Sequence, residues 1–220
     1  MNPSAVLVFD MDGVLVDVSE SYREAIARTV KHFTGLDVSR LQVQNYKNQG
    51  GWNNDWALAQ KICSDFGEGI DYDKVVDYFQ SIFLGPDGLI TRERWIAEPG
   101  LLERLAGRYA LAIFTGRTRE EAAVTLARNA DGITFDPIVA ADHIEHAKPA
   151  PDGLLRIAGL MSGRALCYIG DTVDDARSAR AAGVRFIGIA AGNPELASLL
   201  EREGAVAVLE TINELETVLE

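Results

Sequence analysis

The stretch AVLVFDMDGVLVD, residues 5–17, runs an apolar segment straight into two carboxylates, Asp10 and Asp12, followed by Gly13. Residues 5–9 are short, rich in Val and Phe, and end at a polar residue, the pattern of a strand buried on both faces of a parallel sheet. Residues i and i+2 of an extended strand face the same side, so both carboxylates can point into one site. In a doubly wound sheet, ligands bind at the carboxyl ends of strands. A strand that simply ends in turn-forming Asp and Gly would give the same string, so this stretch leans towards function without deciding it.

Similar apolar runs occur at residues 110–114, 138–141, 165–169, 184–189 and 205–208. Between the later ones lie helical patterns with start signals. Thr118-x-x-Glu121 and Thr172-x-x-Asp175 read as capping boxes, while Pro151 and Pro194 suit a first helical position, the latter behind Asn193 as N-cap. Strand and helix therefore alternate from Ala110 onward. This predicts an α/β fold, a doubly wound, Rossmann-like parallel sheet built of right-handed βαβ units. Between Asp10 and Ala110 no comparable strand occurs, a gap far longer than a crossover needs. Trp56, Ala59, Ile62, Cys63 and Phe66 recur at helical spacing up to Gly67; Val75, Val76, Phe79, Ile82 and Phe83 do so up to Gly85-Pro86. The expected organisation is a discontinuous core of residues 1–17 plus 92–220, with an inserted α-helical domain at 18–91.

Composition bounds the function classes. Of 220 residues, 33 are acidic and 21 are Lys or Arg, for a net charge of −12, and 47% are hydrophobic, as in ordinary globular proteins. A pI near 4.7 argues against nucleic acid or an anionic membrane as partner, since both call for a basic footprint. Cys63 and Cys167 lie far apart, suggesting neither a disulfide scaffold nor a zinc site. The N-terminal segment does not read as a leader and no stretch is long enough to span a bilayer. The expectation is a cytoplasmic protein, monomer or homodimer.

Two further strand ends carry polar groups. In IFTGR, residues 113–117, Thr115 offers a hydroxyl and Gly116 lets the backbone approach an anion at the start of a helix, although a plain βα turn has the same composition. In YIGDTVDDA, residues 168–176, Asp171 follows a strand, Asp175 either completes the capping box or joins a site, and Asp174 reads as an early-helix acid. Lys148 alone would be a solvated loop residue. Together, these strand ends bring Asp10, Asp12, Thr115, Asp171 and Asp175 to one edge of the sheet. Clustered carboxylates repel one another unless a cation is present, and hard oxygen ligands without His or Cys suggest Mg²⁺. With a lysine and a hydroxyl added, the pocket suits a phosphoryl group bridged to a metal.

In that order and spacing, Asp10-Met11-Asp12-Gly13-Val14, Thr115, Lys148 and Gly170-Asp171 with Asp175 resemble the motifs of the haloacid dehalogenase superfamily. The resemblance covers the whole chain and points to the subfamily with a helical cap after the first motif, close to phosphoglycolate-phosphatase-like proteins. It implies a Mg²⁺-dependent phosphatase of a small phosphorylated metabolite, of the phosphoglycolate or sugar phosphate class. Asp10 would be the nucleophile that forms an aspartyl phosphate, and Asp12 the general acid and then base. Asp10, the Asp12 backbone carbonyl, Asp171 and Asp175 would hold the metal, and Thr115, Gly116 and Lys148 the phosphoryl group.

Asp12 favours phosphate esters within the superfamily, because an alkoxide leaving group needs a proton and a halide does not. Sugar phosphomutases share the first motif but usually carry a histidine where this chain has Tyr22. Substrate choice is expected from the cap, where Tyr22, Lys47, Asn48 and Asn53 are candidate contacts and Gly50-Gly51 permits close approach. Asn53 or Asn54 can instead cap a helix, and Trp56 fits the cap core. Arg117 reads either as a substrate contact or as a solvated turn residue. His143 and His146 read as surface or supporting residues, and Cys167 as packing. A two-component receiver domain, a phospho-Asp switch, also sets an acceptor Asp beside acids, a Thr and a Lys, but there the acceptor follows a middle strand and no cap interrupts the first crossover.

Overall fold

The computed structural model describes residues 5–85 and 87–219. Pro86, read above as part of a helix stop, lies outside them. In chain order the elements are β1 (Ala5–Phe9), β2 (Val16–Asp17), α1 (Tyr22–Thr34), α2 (Arg40–Gln49), α3 (Asp55–Asp65), α4 (Tyr72–Phe83), β3 (Arg94–Trp95), α5 (Leu101–Ala106) and β4 (Ala110–Phe114). There follow α6 (Arg119–Asn129), β5 (Ile138–Val139), α7 (Asp152–Leu160), β6 (Ala165–Gly170), α8 (Val173–Ala182), β7 (Arg185–Ile189), α9 (Pro194–Arg202) and β8 (Ala207–Leu209). The chain divides into two compact units. One comprises the residues up to Val16 together with those from Trp95 onward, and the other Asp17–Arg94.

In the first unit, six described strands form one sheet in the order β5-β4-β1-β6-β7-β8, and each neighbouring pair is parallel. From β1 the chain builds outward through β4 and β5, then returns to the other side of β1 for β6, β7 and β8. That reversal makes the carboxyl end of β1 the topological switch point of the sheet. Val6 and Val8 of β1 enter one apolar layer with Phe114, Tyr168 and Phe186 under Leu154, Ile157, Ala176, Ala179 and Leu200 of α7, α8 and α9. Phe9 points to the opposite face and meets Phe135 edge-on at 6.2 Å between ring centroids. Burial on both faces accounts for the continuous apolar runs rather than an alternating pattern.

Local chemistry sets the element ends. Both capping boxes form: Thr118 with Glu121 opens α6, and Thr172 with Asp175 opens α8. Asn193 caps α9 with Pro194 at its first position, whereas α7 starts one residue after Pro151, which takes the cap position instead. β5 stops at Val139, short of the expected residue 141, because Ala141 enters a one-turn 3-10 helix and its amide donates to the Arg117 carbonyl at 2.9 Å. β8 begins at Ala207 rather than 205, since the Ala205 amide closes α9 onto the Leu200 carbonyl at 3.0 Å.

The second unit is helical. α1 buries Tyr22, Ala25, Ile26, Thr29 and Val30, an i, i+3, i+4, i+7, i+8 stripe interrupted in the sequence by the polar Thr29. α3 buries Leu58, Ala59, Ile62 and Cys63, and α4 buries Val75, Phe79 and Phe83. The Tyr22 ring lies 4.2 Å from that of Phe83 and 6.1 Å from that of Phe79, and Trp56 meets Phe79 edge-on. α2 buries only Val43 and opens on a capping box between Ser39 and Gln42, and residues 46–49 form its last turn. Where the chain passes between the units, β2 and β3 pair with each other and Arg94 contacts Asp17 at 2.7 Å. Among the described residues no helix is long and apolar enough to cross a membrane.

Candidate active site

Strand register brings the motif residues together. Phe9, the last residue of β1, pairs with Ile113 on one side and Ile169 on the other. Asp10 is therefore the next residue along, beside the ends of β4 and β6, where Thr115 and Asp171 each stand two residues past their paired isoleucines. The Asp10 amide extends the ladder to the Ile169 carbonyl at 2.8 Å. The chain then coils on itself, with the amides of Leu15 and Val16 both reaching the Met11 carbonyl at 2.9 Å. Gly13 has φ +74°, and a Cβ placed there would stand 1.9 Å from Asp171 Oδ2. Only glycine lets these two loops close on each other.

The centre of the site is a buried cation between two carboxylates. Lys148 Nζ lies 2.9 Å from Asp10 Oδ1 and 2.8 Å from Asp175 Oδ1, and its side chain is 1% exposed. The rings of Phe114 and Tyr168 wall it in at 4.9 Å and 5.5 Å from their centroids, within cation–π range. Asp175 both completes the capping box of α8 and contacts Lys148. Its Oδ2 accepts from the Thr172 amide at 3.0 Å and hydroxyl at 2.6 Å, while its Oδ1 accepts from the Tyr168 hydroxyl at 2.6 Å. Ser178 holds the loop after Lys148 by donating to the Ala150 carbonyl at 2.8 Å.

Burial and neighbours shift these groups. Burial raises the Asp10 carboxyl well above its usual range; Lys148 opposes this, while Asp175, Asp12 and Asp171 add to it. Burial also works to raise Asp175, but the Lys148 charge and the bonds from Lys148, Thr172 and Tyr168 outweigh it and hold that carboxyl below its ordinary value. Lys148 stays firmly protonated, because the attraction of Asp10 and Asp175 exceeds its desolvation. Asp10, Asp171 and Asp175 each offer one oxygen, all within 4.8 Å of one another. Two of these acids pair with Lys148, and the three together present hard oxygen donors, a set that fits Mg²⁺ or a similar divalent cation.

The other candidate residues divide between the units. Thr115 is buried at the end of β4 and Gly116 is exposed beside it. The Asp12 carboxylate lies outside the group formed by Asp10, Asp171 and Asp175. It faces Arg117 instead, whose Nε and Nη2 both lie 2.6 Å from Asp12 Oδ1. Arg117 is thus no solvated turn residue: it is 2% exposed, and its Nη1 donates to Thr125 Oγ1 at 2.7 Å. In the helical unit, Tyr22 belongs to the aromatic core, Lys47 pairs with Asp55 at 2.7 Å, and Asn48 accepts from Gln44 at 2.7 Å. Asn54, not Asn53, caps α3, its Oδ1 accepting from the Ala57 amide at 3.0 Å.

His146 pairs with Asp152 at 2.9 Å on the surface, and the His143 ring accepts from the Ala140 amide. Asp174 is buried in the first turn of α8. Sequence reasoning missed Tyr168, Thr125 and Ser178. Tyr168 had a visible signal, a hydroxyl inside an otherwise apolar strand, because such a group needs a buried partner.

A family model described as haloacid dehalogenase-like hydrolase matches residues 7–189. A fructose-1-phosphate phosphatase of Escherichia coli is 27% identical over 201 residues, covering 84% of this chain and 96% of that protein. A phosphoglycolate phosphatase of Cereibacter sphaeroides is 25% identical over 183 residues, 82% of each chain. An imidazoleglycerol-phosphate dehydratase of Phytophthora nicotianae is 32% identical over 216 residues, 93% of this chain, which spans only 47% of that protein's length. Among solved structures, a haloacid dehalogenase-like protein of Agrobacterium tumefaciens superposes with a TM-score of 0.74 at 22% identity, over 97% of this chain and 96% of the other.

Proposed function

The chain belongs to the haloacid dehalogenase-like hydrolases, and we propose that within that family it is a Mg²⁺-dependent phosphatase of a small phosphorylated metabolite. The observation that carries this reading is the convergence of Asp10, Lys148, Asp171 and Asp175 at the switch point of the sheet. Relatives named as phosphatases of fructose 1-phosphate and phosphoglycolate support the same substrate class.

In this reading, an Asp10 carboxylate oxygen attacks phosphorus in line with the leaving oxygen, forming an aspartyl phosphate as the ester P–O bond breaks. Asp12, in its acid form, gives its proton to the departing alkoxide. Water then attacks the phosphorus of the aspartyl phosphate, Asp12 accepts its proton, and orthophosphate leaves with Asp10 restored. Lys148 works against the desolvation that raises the Asp10 carboxyl, favouring the carboxylate form that serves as the nucleophile. Thr115 Oγ1 and the Gly116 amide would hold phosphoryl oxygens. Asp10, Asp171 and the Asp12 carbonyl, with Asp175 in support, would hold Mg²⁺, which when bound supplies neutralisation of phosphoryl charge and fixes its orientation. The bulk of the rate enhancement then comes from positioning and charge stabilisation. We read residues 18–91 as a cap that selects the leaving group.

The test is release of orthophosphate from a panel of phosphoglycolate, fructose 1-phosphate, imidazoleglycerol phosphate, nucleotides and p-nitrophenyl phosphate, with Mg²⁺ and with EDTA. Metal-dependent turnover is expected for at least one small ester. A folded protein that releases phosphate from none of them in Mg²⁺ contradicts the reading.

A further inference from the structure

We propose that Arg117 is a positioning residue for Asp12, fixing which carboxylate oxygen is free to carry the transferred proton; the inference rests on the phosphatase reading above. Asp12 sits in the turn after β1 with its side chain 30% exposed, so the turn alone leaves the carboxylate free to rotate. Arg117 supplies what the turn does not. Its backbone is pinned from both ends: its amide donates to Thr115 Oγ1 at 3.2 Å and its carbonyl accepts from the Ala141 amide at 2.9 Å. Its guanidinium is anchored on α6 by the Nη1 bond to Thr125 Oγ1. The remaining edge of the fork is thereby aimed at Asp12.

Both Nε and Nη2 address Oδ1. A planar guanidinium does not give up its protons in proteins and presents its donors in a fixed fork. Oδ1 is thus held as an acceptor, and proton exchange with the leaving oxygen and then with water falls to Oδ2. The two buried cations have separate tasks, since Lys148 serves Asp10 and Asp175 while Arg117 serves Asp12. The contact also explains why a turn that needs only Thr115 and Gly116 for phosphoryl binding continues with a buried arginine.

The experiment compares Arg117→Lys and Thr125→Val with the parent enzyme and with Asp12→Ala. Arg117→Lys keeps the charge and loses the fork, and Thr125→Val removes only the anchor at nearly constant shape, so folding survives in at least one of them. The readout is the rate of the phosphoryl-transfer step alone, taken from single-turnover release of the leaving group, on the preferred alkyl phosphate against p-nitrophenyl phosphate, whose leaving group departs with little acid help. Both variants are expected to lower the alkyl rate by about tenfold or more, part of the 10²–10⁴ that a general acid contributes, while changing the nitrophenyl rate by less than about threefold. Added to Asp12→Ala, neither should alter the ratio of the two rates further. Equal loss on both esters, or an unchanged ratio, overturns the inference while leaving the phosphatase reading intact. A parent enzyme that turns over neither ester in Mg²⁺ overturns both.

Discussion

Replacing Lys148 by methionine, close in length and without charge, isolates the energetics of the buried triad. With contacts of 2.9 Å to Asp10 and 2.8 Å to Asp175, each ion pair has a gross attraction of about 6 kcal/mol at an effective dielectric of about 20. Most of that is offset by taking three charges out of water. Removing the lysine leaves both desolvated carboxylates without their cation, a change that costs about 3–5 kcal/mol where one partner of a buried pair is deleted. The sign with pH follows. Without Lys148, the carboxyls of Asp10 and Asp175 titrate above their unfolded value of about 3.9, so the deficit is small below that pH and grows as pH rises through the folded values.

Urea unfolding followed by circular dichroism in EDTA is the assay, at pH 5 and pH 8. Lys148→Met should lose about 3–5 kcal/mol at pH 8, distinctly less at pH 5, and recover part of the loss when Mg²⁺ is restored. A variant within about 1 kcal/mol of the parent at pH 8 in EDTA, well under the loss expected for a buried pair, would refute the claim that Lys148 neutralises desolvated carboxylates.

Three other outcomes are expected. Asp10→Asn should abolish turnover; a variant within about tenfold of the parent rate, where removal of a nucleophile costs many orders of magnitude, would exclude the covalent route. Gly13→Ala forces a Cβ to 1.9 Å from Asp171 Oδ2 at a φ of +74°, so it should cost about 1–3 kcal/mol of stability and raise the Mg²⁺ concentration needed for half-maximal activity; unchanged metal dependence would count against the placement of Asp171. Burial pushes the Cys167 thiol up to about 11, so alkylation by iodoacetamide at pH 8 should be about two hundredfold slower than for an unperturbed cysteine. Because that folded value is raised, the thiol's contribution to stability persists below about pH 8.5 and is lost as pH rises towards 11; mass spectrometry of labelling against time checks the first point and alkaline denaturation the second.

The sequence alone determined the sheet, because strands buried on both faces must be written as unbroken apolar runs and helix starts need capping residues. It also marked the strand ends at which Asp10, Thr115 and Asp171 stand, since each falls where an apolar run stops. It was silent on α1 and α2, whose apolar stripes are broken by Thr29 or reduced to Val43, so that packing and a capping box rather than periodicity hold them helical. Only the tertiary structure decided the partnerships. Asp175 reads locally as a helix cap, and only the approach of the Lys148 loop, with Tyr168 beneath it, makes it an arm of a buried triad. Arg117 reads locally as a polar turn residue, and only the docking of α6, with Thr125, beside the turn after β1 turns its guanidinium inward onto Asp12. Partners of this kind lie 105 positions apart in the chain for Arg117 and Asp12, and their pairing is set by strand register and helix packing, which no local string encodes.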